Sequence, residues 1–116
     1  MFSTLVRELG KTSAIDLIGE LDAHTSVQLE RTIQEQIEKK RVHIIINCAK
    51  LSYISSAGLG VFMAFIDDVR AEGGDIKFSN MSDKIFQVFD LLGFPLLYEI
   101  FKEEQEAVEK FNAPTP

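Results

Sequence analysis

From Val42 to Cys48 the chain reads Val-His-Ile-Ile-Ile-Asn-Cys. The run has the length of a strand and is apolar on both faces except at His43. Such a run belongs to a central strand, covered on one or both sides. Val61, Phe62, Phe65 and Val69 follow at helical spacing. Between the two stretches stands Ser52-Tyr53-Ile54-Ser55-Ser56-Ala57-Gly58-Leu59-Gly60, so two serines sit where a buried strand hands over to a helix. That junction is where open α/β sheets expose backbone N–H groups and place their sites. Ser56 is therefore the first candidate for a functional residue.

The rest of the chain builds around that strand. Phe2 to Leu9 and Thr12 to Ile18 are predicted strands, joined by Gly10-Lys11 as a tight hairpin turn. A helix is predicted from Thr25, where Thr25 and Gln28 have the spacing of a capping box. Leu29, Ile33 and Ile37 lie on one face of it, with Val27 nearby. Lys39-Lys40-Arg41 closes it, cations opposing the negative end of the helix dipole. The helix after the serines is predicted from about Ala57 to Glu72, stopped by Gly73-Gly74. Asp75 to Ser79 is a short strand. Ser82 caps a helix whose apolar face is Ile85, Phe86, Phe89 and Leu92, ended by Gly93-Phe94-Pro95. Leu96 to Ile100 is predicted as a last strand and Glu103 to Phe111 as a last helix. Residues 1–111 then form one domain, and 112–116 a flexible tail.

Strands alternating with helices after an opening hairpin imply an α/β fold. Its mixed, mostly parallel sheet has one antiparallel edge and is packed by about four helices. Nothing divides the 116 residues into repeats or linked domains. The nine Phe residues fall mainly at helix-face and strand positions, as core packing requires.

Composition narrows the function. A net charge of −6 argues against a general nucleic-acid binder. No apolar run approaches the ~20 residues of a membrane helix, and the N-terminus has no basic region followed by an apolar core. The single cysteine, Cys48, reads as a packed, inert thiol and fits a reducing cytoplasm. No His or Cys pair has metal-ligand spacing, so no metal site is expected.

Three chemistries compete at the serines. A catalytic serine needs a base and an orienting group. Ser56 has Gly58 two residues on but no Gly two residues before, half of a nucleophile elbow, and His24 is the one histidine expected on that edge of the sheet. Gly58-Leu59-Gly60 lacks a third Gly and a following Gly-Lys-Ser/Thr, so a phosphate cradle is poorly supported. The third reading is a phosphorylation switch. A phosphate at a helix N-terminus meets unpaired N–H groups and the positive dipole end, so the fold tolerates it while the outward surface changes. On spacing alone, a simple N-cap role for Ser56 is the plainer account.

A resemblance changes that balance. Ser55-Ser56-Ala57-Gly58-Leu59-Gly60 resembles the Asp-Ser-Ser/Thr/Ala-Gly-Leu-Gly motif of bacterial anti-sigma factor antagonists, the STAS-domain family. Gly19-Glu20-Leu21-Asp22 resembles the family's Gly-Glu-Leu-Asp element before its first helix. Gly73-Gly74 before a short apolar strand and Phe89-x-x-x-Gly93 match as well, in the right order over most of the chain. The resemblance implies a small, non-enzymatic cytoplasmic protein without a cofactor of its own. It implies binding to an anti-sigma factor that is also a serine kinase, which frees a sigma factor. Phosphorylation of the motif serine ends that binding, and a PP2C-type phosphatase reverses it. The phosphorylated serine falls on Ser56 and the partner-binding aspartate on Asp22. His24, Thr25, Ser55, Ala57 and Gly58 complete the expected docking surface. The family's Asp before the phosphorylated serine is here Ser55, which removes a charge and offers a second acceptor hydroxyl. The alternative is a non-enzymatic STAS scaffold or interaction module in a larger bacterial signalling assembly. Neither reading involves direct contact with nucleic acid or membrane.

Overall fold

A computed structural model describes residues 1–113. Its order is β1 (Phe2–Leu9), β2 (Thr12–Leu21), α1 (Ser26–Glu38), β3 (His43–Ile54), α2 (Ser56–Ala71), β4 (Asp75–Ser79), α3 (Asp83–Leu91), a 3₁₀ turn (Phe94–Leu96), β5 (Ile100–Phe101) and α4 (Glu104–Asn112). The five strands lie in the order β1-β2-β3-β4-β5. β1 and β2 are antiparallel and pair from Leu9↔Thr12 outward, which makes Gly10-Lys11 the two-residue turn the sequence predicts. All later pairs are parallel. This is the α/β mixed sheet expected.

β3 is the middle strand, and its isoleucines explain why. Ile44 and Ile46 enter one core with Ile15 and Leu17 of β2, Leu29 and Ile33 of α1, Phe62 of α2 and Phe89 of α3. Ile45 points the other way, into a smaller core with Ala14 and with Ala107 of α4. So α1, α2 and α3 cover one face and α4 covers part of the other, and an unbroken apolar run suits a strand buried on both sides. The large core holds an aromatic cluster. Phe78 meets Phe62, Phe89 and Tyr98 edge-on with centroids 4.9–5.3 Å apart, and Phe94 stacks on Tyr98. Edge-on pairs add roughly 0.5–1.5 kcal/mol each beyond area burial.

The structure corrects several predicted boundaries. β2 continues to Leu21 and β3 to Ile54, pairing Leu21 with Ile54 across two register shifts. Ala49-Lys50 and Ser52-Tyr53 are exposed while Leu51 and Ile54 are buried, so this stretch is strand rather than loop, its alternation broken by the extra β3 residue at each register shift. β5 lies at Ile100–Phe101, because Phe94–Leu96 is taken up by the 3₁₀ turn that follows Gly93 in a left-handed conformation, with Leu97 as its C-cap. On α3 only Ile85 and Phe89 are buried; Phe86 and Leu92 are exposed. Helix α4 runs through Asn112, the first residue of the predicted tail, and residues 114–116 of that tail lie outside the described residues.

Candidate functional site

The serine junction forms where β3 ends. The Ser55 N–H donates to the Leu21 carbonyl at 2.9 Å, the last cross-strand tie before α2 begins. Ser55 keeps an extended backbone, its Oγ accepts from the Gly58 N–H at 3.3 Å, and its carbonyl accepts from the Leu59 N–H at 3.1 Å. Those are the marks of an N-cap. The cap is thus Ser55, one residue before the serine to which the sequence reading would give it.

Ser56 is left as the first residue of α2. It is exposed, and no hydrogen bond engages its hydroxyl among the described residues. The first turn contains no acidic side chain, so the positive end of α2 is not neutralised locally. The N–H groups of Ser56 and Ala57 belong to the first turn, which has no intrahelical acceptors for them. Ala57 is exposed beside Ser56. Gly58 is buried. A Cβ there would lie 2.7 Å from Leu21 Cγ, so the absence of a side chain brings α2 down onto the end of β2.

That close approach sets the second loop beside the serines. Asp22 directly follows Leu21. Its Oδ1 accepts from the backbone N–H groups of His24 and Thr25, both at 2.9 Å, and its carbonyl accepts from the Ser26 N–H at 2.9 Å. Asp22 therefore caps the turn that leads into α1. The predicted Thr25–Gln28 capping box does not form, since the Thr25 side chain makes no cap bond to the helix. Thr25 Oγ1 faces backwards instead. It accepts from the Asp22 N–H at 2.9 Å and shares its proton between the Glu20 carbonyl and Asp22 Oδ1. The backbone bond from Thr25, with help from its hydroxyl and from His24, holds the Asp22 carboxyl below its ordinary value despite some desolvation.

Of the predicted docking residues, Ser56, Ala57 and His24 are exposed, Asp22, Thr25 and Ser55 are half-buried, and Gly58 is covered. Among the described residues no hydrogen bond joins His24 to either serine, so the pairing that would activate a nucleophile is not made. His43 stacks on Phe111 of α4 with ring centroids 4.7 Å apart. The structural role of Ser55 was missed from sequence, because two adjacent serines precede the Ala-Gly helix start and the cap signal fits either.

The chain belongs to the STAS domain family, whose model matches residues 4–107. Among curated relatives it resembles the anti-sigma-B factor antagonist of Listeria monocytogenes, 29% identical over 97 residues, covering 82% of this chain and 85% of that one. Among solved structures it resembles the anti-sigma factor antagonist SpoIIAA in its unphosphorylated form, with a TM-score of 0.83, 25% identity and coverage of 98% and 100%. The Bacillus cell fate determinant SpoIIAA in its phosphorylated form matches with a TM-score of 0.73, 26% identity and coverage of 94% and 99%. No described helix is long and apolar enough to cross a membrane.

Proposed function

We propose that this protein is a cytoplasmic, non-enzymatic anti-sigma factor antagonist, switched by phosphorylation of Ser56. One observation carries the reading: Ser55 takes the cap, leaving the Ser56 hydroxyl exposed and unengaged at the positive end of α2. A phosphoryl group there adds about −1.5 to −2 charges. It removes no hydrogen bond that holds the fold. The docking surface is the Ser56 turn with Asp22, His24 and Thr25 beside it. The partner is an anti-sigma factor with serine kinase activity, and a PP2C-type phosphatase resets the switch. Ser55 is the poorer acceptor, because its oxygen is already engaged by the Gly58 N–H and the residue is half-buried where Ser56 is exposed.

The test is binding to the cognate anti-sigma kinase. Ser56→Ala is expected to bind constitutively, and Ser56→Asp at least about tenfold more weakly, the equivalent of ~1.4 kcal/mol. Equal affinity for both variants would sink the mechanism. Incubation with kinase and ATP should place one phosphate on Ser56 by mass spectrometry and none on Ser56→Ala.

A further inference from the structure

At the other end of the parallel strands, Lys11, Lys39, Lys40, Arg41, Val42 and His43 line an open concavity of about 280 Å³. They come from the β1–β2 turn, the end of α1 and the start of β3. Thr12 pairs with His43 here, whereas Leu21 pairs with Ile54 at the serine end, so a strand length of roughly 30 Å separates the two sites. Four of the chain's twelve Lys and Arg residues converge on this spot in a protein of net charge −6. Among the described residues no acidic side chain lines it. Two acids pair with its cations from outside: Glu72, 3.5 Å from the exposed Lys40 ammonium, and Glu8, 3.8 Å from Arg41.

Helix capping does not account for these cations. The last carbonyls of α1 are satisfied by backbone: Lys40 N–H donates to Ile37 at 3.0 Å and Arg41 N–H to Gln36 at 2.9 Å. Helix α2 ends in the same pattern, with Gly73 N–H on Arg70 and Gly74 N–H on Val69. There the left-handed position is Gly73, at φ +86, as the motif favours. In α1 that position is Lys40, at φ +62, a conformation unfavourable for a lysine. A strained residue stands where a glycine would fold more easily, and strain of this kind clusters at functional sites. Arg41 is pre-set: Nε donates to Ser13 Oγ and Nη2 to the Gly10 and Thr12 carbonyls, all within 2.8–3.0 Å. Its Nη1 remains for a ligand. Lys11 and Lys39 have no ion-pair partner among the described residues.

We propose that this concavity binds the phosphates of a small di- or polyphosphate anion, with Lys11, Lys39, Lys40 and Arg41 as its donors. The site is independent of the Ser56 surface and of the function proposed for it. The test is an amide NMR titration of the full chain with inorganic pyrophosphate up to about 10 mM, tenfold above a millimolar dissociation constant. The expected result is saturable shifts at Lys11 and Lys39 to His43. Lys39→Gln and Lys40→Gly should each weaken binding by roughly fivefold, as loss of a charge-assisted contact would. Lys40→Gly should also raise the melting temperature, because it relieves the left-handed lysine; this shows that weaker binding does not come from a damaged fold. Absence of saturation would overturn the proposal, as would shifts spread over all lysines. So would binding indifferent to both substitutions. Sedimentation with phosphatidylserine vesicles, without a response to pyrophosphate, would overturn it in favour of a lipid surface.

Discussion

Ser55 and Ser56 carry the same side chain, and the backbone divides their roles. Ser55 is extended and accepts the Gly58 N–H; Ser56 is helical and keeps its hydroxyl free. Ser55→Ala should therefore lower stability by about 1 kcal/mol, the usual worth of a cap. Ser55→Asp should retain that stability, since a carboxylate accepts the same bond and complements the helix dipole. Urea unfolding of the three proteins checks both. Which serine caps was not legible in the chain, because it depends on where β3 stops pairing with β2, a tertiary event. Asp22 was only half legible. An acid at the start of a helix was visible, but the Thr25–Gln28 spacing matched a capping box that the nearer carboxylate of Asp22 displaces.

At the scale of elements, α4 is the least deeply seated helix and depends on polar ties. Arg7 Nη1 donates to Glu104 at 3.0 Å while its Nε and Nη2 hold Asp16, and Asn47 also donates to Glu104. Lys77, buried beneath the helix, lies 4.6 Å from the Phe111 ring centroid. Arg7→Met should cost about 1 kcal/mol, the low end for an ion pair because the group is partly solvated. It should also speed hydrogen exchange of α4 amides ahead of those in α1 to α3. Equal exchange across all four helices would count against this account. The positions of β1, β2, β4 and the four helices were readable from periodicity and turn residues. The far half of β3 was not, because the exposed pairs Ala49-Lys50 and Ser52-Tyr53 break a strand's alternation and look like a loop until β2 is laid beside them. β5 was displaced for a similar reason. Leu96 and Leu97 are apolar enough for a strand, yet both are exposed on the turn that Gly93 and Pro95 impose.

For the whole molecule, the titrating groups set a direction with pH. Arg7 is the main cause holding Glu104 low. Burial alone would raise Asp75, but hydrogen bonds from Lys77 and Arg70 outweigh it and lower that carboxyl; Asp22 is lowered by its loop. Carboxyls held low in the folded state contribute stability that is present above their unfolded values. That stability is lost as pH falls below about 4 through the folded values. Unfolding midpoints should fall between pH 6 and pH 3, and a flat profile would contradict the pairing. Cys48 titrates in the other sense: burial pushes its thiol up to about 12, so it should resist disulfide reagents at neutral pH until the chain unfolds. The lysine cluster has an effect on the molecule at a distance. One end of the strands is locally cationic and the remainder of the chain is net negative, so the charge of the protein is unevenly spread over its surface. A cationic surface approaching in solution is repelled at the lysine end and drawn to the acidic remainder, which biases how the two align before any atoms touch. That alignment fades beyond the ~8 Å screening length of physiological salt, which makes the rate of encounter, more than the strength of the final contact, the quantity that salt controls.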